Sequence, residues 1–154
     1  MGNTCTQICV QIVFAVKGRK NFIQECFRED VQKYMAGIIE KKRQKLYAMY
    51  CMPDHVHILV SLSPETSISD LVRDVKANSS KYLNEQFLLG CSFSWQAGFG
   101  AFSYAKSQTQ RVVNYITNQK EHHRRKTFKE EYLEFLVKFE IEYNKRYLFE
   151  FYKD

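Results

Sequence analysis

His55-Val56-His57 follows the turn Met52-Pro53-Asp54 and opens a strand-like run, Val56 to Leu62. Side chains alternate along a strand, so two imidazoles one residue apart share a face while Val56, Ile58 and Val60 take the other. One face can enter a core and the opposite one can offer two nitrogens to a metal ion, for which imidazole is the commonest protein ligand. The same pattern also suits two histidines simply hydrogen-bonded beneath a loop. Other histidine chemistries fit less well: histidine-triad hydrolysis needs a third imidazole where Leu59 stands, and a zinc deaminase needs His-x-Glu with Cys-x-x-Cys, which does not occur. A second pair, Tyr115 and Gln119, stands four residues apart, the spacing of neighbours one turn along a helix. The chain has ten tyrosines, so a single phenol identifies nothing without the company it keeps.

The elements that must hold these residues are legible in the hydrophobic pattern. Ile8, Val10, Ile12, Phe14 and Val16 alternate with Cys9, Gln11, Val13 and Ala15, the signature of a half-buried first strand. Val31, Tyr34, Met35, Ile38 and Ile39 predict an amphipathic helix over 29–43. Strands over 46–52 and 56–62 follow, joined by the Pro53-Asp54 turn. Ser67 and Asp70 form a capping pattern ahead of a helix running to about Glu85, whose outer side carries Arg73, Lys76 and Lys81. Short strands are expected over 93–95 and 99–104, around the Gln96-Ala97-Gly98 bend. A helix follows from Gln108 to about His122, its buried stripe formed by Val112, Val113 and Ile116. Thr127 and Glu130 open a last helix through about Phe139, with Tyr132, Phe135, Leu136 and Phe139 on one side, and Phe149, Phe151 and Tyr152 make an aromatic tail expected to dock on the body. The order predicts an α+β fold: a ferredoxin-like or RRM-like antiparallel sheet with helices packed mainly on one face.

At 154 residues, 45% of them hydrophobic and 15% aromatic, the chain fits one domain over 1–154, with its C-terminal helix and tail from about 127. The net charge of +6 is uneven: residues 1–126 carry 18 Lys/Arg against 10 Asp/Glu, and residues 127–154 carry 5 against 7. Basic clusters at Lys17-Gly18-Arg19-Lys20, Lys41-Lys42-Arg43 and Arg124-Arg125-Lys126 favour a polyanionic partner, nucleic acid first among them. Five scattered cysteines without a signal peptide predict reduced thiols in a cytoplasm, and no apolar run reaches membrane-spanning length. Met1-Gly2-Asn3-Thr4-Cys5-Thr6 matches a myristoylation pattern, set aside because the first core strand is expected to begin at Thr6.

Taken together, the His-x-His strand, the downstream Tyr-x-x-x-Gln helix and the basic domain resemble the HUH-superfamily single-tyrosine transposases, which mobilise small bacterial and archaeal insertion sequences through single-stranded DNA. Met52 to Val60 resembles their His-hydrophobe-His strand, Tyr115-Ile116-Thr117-Asn118-Gln119 their nucleophile helix, and Trp95 to Gly100 a further family segment. The likeness spans about residues 6–150. In the related transposases of repetitive extragenic palindromes an Asn-Pro usually follows the tyrosine helix, whereas here Asn118 precedes Gln119 and Lys120, which favours the insertion-sequence branch.

The resemblance implies that the helix carrying Tyr115 packs as a nucleophile helix beside the sheet. It implies Mg²⁺ or Mn²⁺ held by His55, His57 and Gln119, with open positions for phosphate oxygens, and Tyr115 as the nucleophile that forms a 5′-phosphotyrosine. A free phenol is only ~0.1% ionised at neutral pH, so the metal or a cation such as Lys120 is expected to assist. It further implies single-stranded DNA with hairpin ends as substrate, and a homodimer whose active sites are shared between subunits. Arg73, Lys76, Lys81, Lys120, Arg124 and Arg125 are the expected phosphate contacts. Two alternatives stay open: a non-catalytic nucleic-acid-binding relative, and a replication-initiator or relaxase nuclease, usually one domain of a chain longer than this.

Overall fold

The computed structural model describes residues 3–86 and 92–152. Met1 and Gly2 of the lipidation pattern, and Cys91, lie outside the described residues. Four strands, β1 (Cys9–Ala15), β2 (Lys45–Cys51), β3 (His55–Ser61) and β4 (Gly100–Tyr104), form one sheet in the order β2-β3-β1-β4 with every neighbour antiparallel. Helices α1 (Arg28–Lys41) and α2 (Ile68–Gln86) connect them, giving the expected α+β, ferredoxin-like arrangement. Among the described residues three further α-helices follow β4: α3 (Thr109–Thr117), α4 (Gln119–His122) and α5 (Phe128–Lys138).

The register explains how one sheet serves two purposes. Val10 pairs with Val60, Ile12 with Ile58 and Phe14 with Val56, so these six side chains share the face on which Met35 and Ile39 of α1 and Leu71 and Val75 of α2 pack. The other face carries Gln11, Val13 and Ala15 opposite Leu59, His57 and His55, and α3 to α5 lie over it. The half-buried first strand expected from alternation is therefore buried along its whole length, because its second face is roofed by the C-terminal helices.

Three local features set that roof. The helix expected from Gln108 to His122 breaks at Asn118 (φ −100°, ψ 21°). The Thr117 hydroxyl donates to the Val113 and Asn114 carbonyls just before the break, a side-chain competition that bends helices. Thr127 caps α5 as read, its hydroxyl accepting from the Glu130 amide at 3.1 Å. Gly100 lets α5 come close: a β-carbon there would lie 2.7 Å from the Tyr132 hydroxyl. Of the short strands expected before β4, 93–95 contributes only an isolated bridge between Val16 and Trp95. The aromatic tail docks as expected, with Phe149 against Phe128 and Tyr132, and the Glu150 amide donating to Gln96 Oε1 at 2.7 Å. Cys5, Cys9, Cys26 and Cys51 are free thiols, and among the described residues no helix is long and apolar enough to cross a membrane.

Candidate functional site

His55 and His57 point to the same face of β3, as their spacing requires, and both have 0% of their surface exposed. Each imidazole is oriented from behind by an oxygen. Asp54 Oδ1 lies 2.7 Å from His55 Nδ1, and Gln11 Oε1 of the neighbouring strand lies 2.7 Å from His57 Nδ1. Gln11 is itself steadied by donating to the Tyr104 hydroxyl at 3.0 Å. Phe128 of α5 stacks on His55 with centroids 3.8 Å apart, which closes the site from that side.

The centre of the site is a residue the sequence reading passed over. Glu131 of α5 is 2% exposed, and its Oε1 lies 2.9 Å from His57 Nε2, 3.6 Å from His55 Nε2 and 3.2 Å from His123 Nε2. Its Oε2 accepts a hydrogen bond from the Tyr115 hydroxyl and another, at 3.2 Å, from Gln119 Nε2. The ligand atoms of His55, His57, His123 and Glu131 all lie within 4.8 Å of one another. His122 completes the gathering, its Nε2 3.2 Å from the Tyr115 hydroxyl, so all four histidines of the chain meet here. One signal for Glu131 was present in the sequence: it stands on the apolar stripe Phe128, Tyr132, Phe135, where a carboxylate has no packing reason to be.

Electrostatics follow from this crowding. Burial works against a charged Glu131, but the imidazoles of His57, His123 and His55 outweigh it and hold the carboxyl well below the usual range. Burial likewise opposes protonation of His55, yet Asp54 and Glu131 overcome it and raise His55 to about 9. His57 moves down, because burial exceeds the pull of Glu131. The Tyr115 phenol is pushed up by burial and by the Glu131 charge.

Tyr115, His55, His57 and Gln119 are thus brought together within a single chain. The six expected phosphate contacts divide. Lys120, Arg124 and Arg125 line an open groove of about 880 Å³ that also exposes His123 and the tail residues Phe151 and Tyr152. Arg73, Lys76 and Lys81 lie on α2, across the sheet. Arg73 there pairs with Asp70 and Asp74, and Lys76 donates to the Gln96 and Gly98 carbonyls at 2.8 and 2.6 Å.

Residues 4–119 match the sequence profile of a family described as "Transposase IS200 like", a span that includes both β3 histidines, Tyr115 and Gln119. The chain belongs to that family. The transposase for insertion sequence element IS200 of Salmonella typhimurium is 29% identical over 116 residues, 71% of this chain and 75% of that protein. The ISDra2 transposase TnpA of Deinococcus radiodurans is 22% identical over 118 residues, 73% and 84% of the two chains. Two solved structures share the fold. One, a Deinococcus radiodurans protein assigned as a transposase, has a TM-score of 0.62 at 19% identity, covering 77% of this chain and 95% of its own. The other, a REP-associated tyrosine transposase bound to a REP hairpin, has a TM-score of 0.60 at 14% identity, covering 80% and 74%. In this IS200-like transposase, His122, His123 and Glu131 stand beyond the span that matches the family.

Proposed function

We propose that this IS200-like transposase cleaves and rejoins single-stranded DNA at insertion-sequence ends, with Tyr115 as nucleophile and a divalent cation at the paired histidines. The observation that carries the reading is that one carboxylate, Glu131, touches the Tyr115 hydroxyl with one oxygen and His57 Nε2 with the other. Nucleophile and imidazole pair are therefore a single carboxyl group apart.

The residues fit a metal ion. His55 Nε2 is buried and makes no hydrogen bond, an arrangement that costs free energy in the absence of a ligand. His57 presents its Nε2 beside it, and Gln119 offers an amide as the third protein ligand. A cation held there would polarise the scissile phosphate, stabilise the departing 3′ oxygen and offset the Glu131 charge that now disfavours the phenolate. The Tyr115 oxygen attacks phosphorus, the bond to the 3′ oxygen breaks, and the strand is retained as a 5′-phosphotyrosine. Attack by another free 3′-hydroxyl reverses the step without outside energy, so cutting and joining are one chemistry.

Lys120, Arg124 and Arg125 are the phosphate contacts that the groove favours, with the rings of Phe151 and Tyr152 available for base stacking. Arg73, Lys76 and Lys81 would reach DNA only on the far side of the sheet. A hairpin end as substrate is supported by the fold neighbour that holds one. The enzyme works as a homodimer in the cytoplasm; because Tyr115 meets its own chain's histidines, sharing of sites requires α3 and α4 to swing towards a partner. The test is incubation of the protein with labelled single-stranded element ends and Mg²⁺ or Mn²⁺, followed by denaturing electrophoresis. A covalent protein–DNA band is expected, lost in Tyr115→Phe while hairpin binding persists; a band that survives in Tyr115→Phe places the nucleophile elsewhere.

A further inference from the structure

We infer that the cation site of this chain is a four-ligand set, His55, His57 and His123 through Nε2 and Glu131 through Oε1, built for a transition-metal dication and not for Mg²⁺. The inference rests on the reading of the β3 histidines as a metal site, and puts two residues beyond the span that matches the family in the ligand place that the family resemblance gives to Gln119.

An imidazole ligates through a nitrogen that carries no proton, and the proton's place is fixed by what the other nitrogen bonds. All three rings have an oxygen acceptor at Nδ1: Asp54 Oδ1 at 2.7 Å for His55, Gln11 Oε1 at 2.7 Å for His57, and the Lys126 carbonyl at 2.9 Å for His123. With the ligating form protonated at Nδ1, each ring turns its Nε2 inward; the present contacts of His57 Nε2 with Glu131 Oε1 at 2.9 Å and of His123 Nε2 with Gln119 Oε1 at 2.8 Å are ones a bound cation would replace. Three rings from two distant parts of the chain thus gather their Nε2 atoms around one carboxylate oxygen, a cluster that a cation among them would hold together.

Ligand atoms about 2.1 Å from a common ion, arranged tetrahedrally, stand about 3.4 Å from one another. Glu131 Oε1 lies 3.6, 2.9 and 3.2 Å from the Nε2 atoms of His55, His57 and His123. Glu131 Oε1 thus stands near first-sphere spacing from all three rings, while the four ligand atoms together spread to 4.8 Å, so the rings need close only slightly around an ion. Glu131 Oε2 stays bonded to Tyr115 and Gln119, which ties the nucleophile to the site's geometry.

Three imidazoles and one carboxylate suit Mn²⁺, Co²⁺ and Zn²⁺, whereas Mg²⁺ prefers oxygen ligands and retains its waters. Affinity should follow the usual order among the divalent ions, with Zn²⁺ and Co²⁺ above Mn²⁺ and Mg²⁺ far below.

The test uses the full-length protein, stripped with a chelator and titrated calorimetrically with each metal salt alone. Binding of one Mn²⁺ per chain, at least about 100-fold tighter than Mg²⁺, is expected. His123→Gln and Glu131→Gln should each weaken Mn²⁺ by at least about 10-fold, while Arg73→Ala, across the sheet, binds as wild type. Co²⁺ loaded into the unaltered protein should show the intense visible absorption of a four- or five-coordinate ion, a measurement that needs no variant to fold. Mg²⁺ within tenfold of Mn²⁺, a weak six-coordinate Co²⁺ spectrum, or wild-type affinity in both ligand variants would overturn the inference. The covalent-adduct assay separates it from the functional reading: an adduct indifferent to His123→Gln and Glu131→Gln sinks only the ligand set, and tight four-ligand binding without any adduct sinks only the function.

Discussion

The two faces of β3 differ by one residue in sequence and by almost everything in chemistry. Val56, Ile58 and Val60 pack into an apolar layer with α1 and α2, where any side chain of similar shape would serve. His55 and His57, on the other face, are as deeply buried but sit among Asp54, Gln11, Glu131 and His123, where each polar atom depends on a particular partner. The first face holds the sheet together; the second uses that rigidity to fix a reactive group. Burial alone does not distinguish them, and only the partners of the buried atoms do.

Truncating one residue on each face tests this division of work. His57→Ala removes an imidazole from the candidate metal site and should abolish the covalent DNA adduct while the protein still folds, as judged by circular dichroism. Ile58→Ala should do the reverse: a loss of about 2–5 kcal/mol in denaturant-measured stability, the usual cost of an aliphatic cavity, with adduct formation retained wherever the chain remains folded. An adduct that survives His57→Ala, or is lost in folded Ile58→Ala, would mean that the two faces do not divide the work.

How much of this was legible in the sequence follows the same division. The apolar face obeys a period of two on the strands and 3.6 on the helices, so β1, α1, β3 and α2 fall within a few residues of their expected places. The histidine pair and the tyrosine were found because their spacing is local. Glu131 and His123 were not, because their importance arises from a contact across the sheet between Gln11, His57 and α5, at separations of 46 and 74 residues that no window contains. The break at Asn118 was missed for a related reason: Val112, Val113 and Ile116 continue the helical stripe up to it, and the Thr117 back-bond that bends the helix leaves no mark on periodicity.

A pH titration of the metal-free protein sharpens the contrast with a smaller effect. On the apolar side the Lys76 ammonium, over the Phe14 ring, is lowered by burial to about 8, so it adds an opposing slope only above pH 8. On the other face His55 is raised from 6.5 to about 9, so its contribution to stability is fully present below pH 6.5 and is lost as pH rises through 9. Glu131 is lowered from 4.5, so its contribution is present above that value and lost as pH falls below it. His57 is lowered from 6.5, so stability also falls as pH drops below 6.5, and thermal stability should therefore peak near pH 6.5 and decline on either side. Asp54→Asn should flatten the alkaline decline, since Asp54 leads the groups that raise His55; an unchanged slope would assign the titration to another group.

The smallest expected effect separates the cations of the two sides. Lys120 and Arg125 line the open groove and, like Lys129, form no ion pair among the described residues, whereas Arg73 on α2 is shared between Asp70 and Asp74. An arginine already paired neutralises little phosphate charge, and a lysine facing an open groove can exchange bound counterions for it. Binding of a single-stranded oligonucleotide, followed by fluorescence anisotropy across a salt series, should weaken several-fold in Lys120→Ala and in Arg125→Ala. Each should lower the slope of log affinity against log salt by about 0.7, the value for one phosphate contact on a single strand. Arg73→Ala should leave both affinity and slope unchanged. A slope that falls for Arg73→Ala and not for the groove variants would move the DNA path to the α2 side and away from Tyr115.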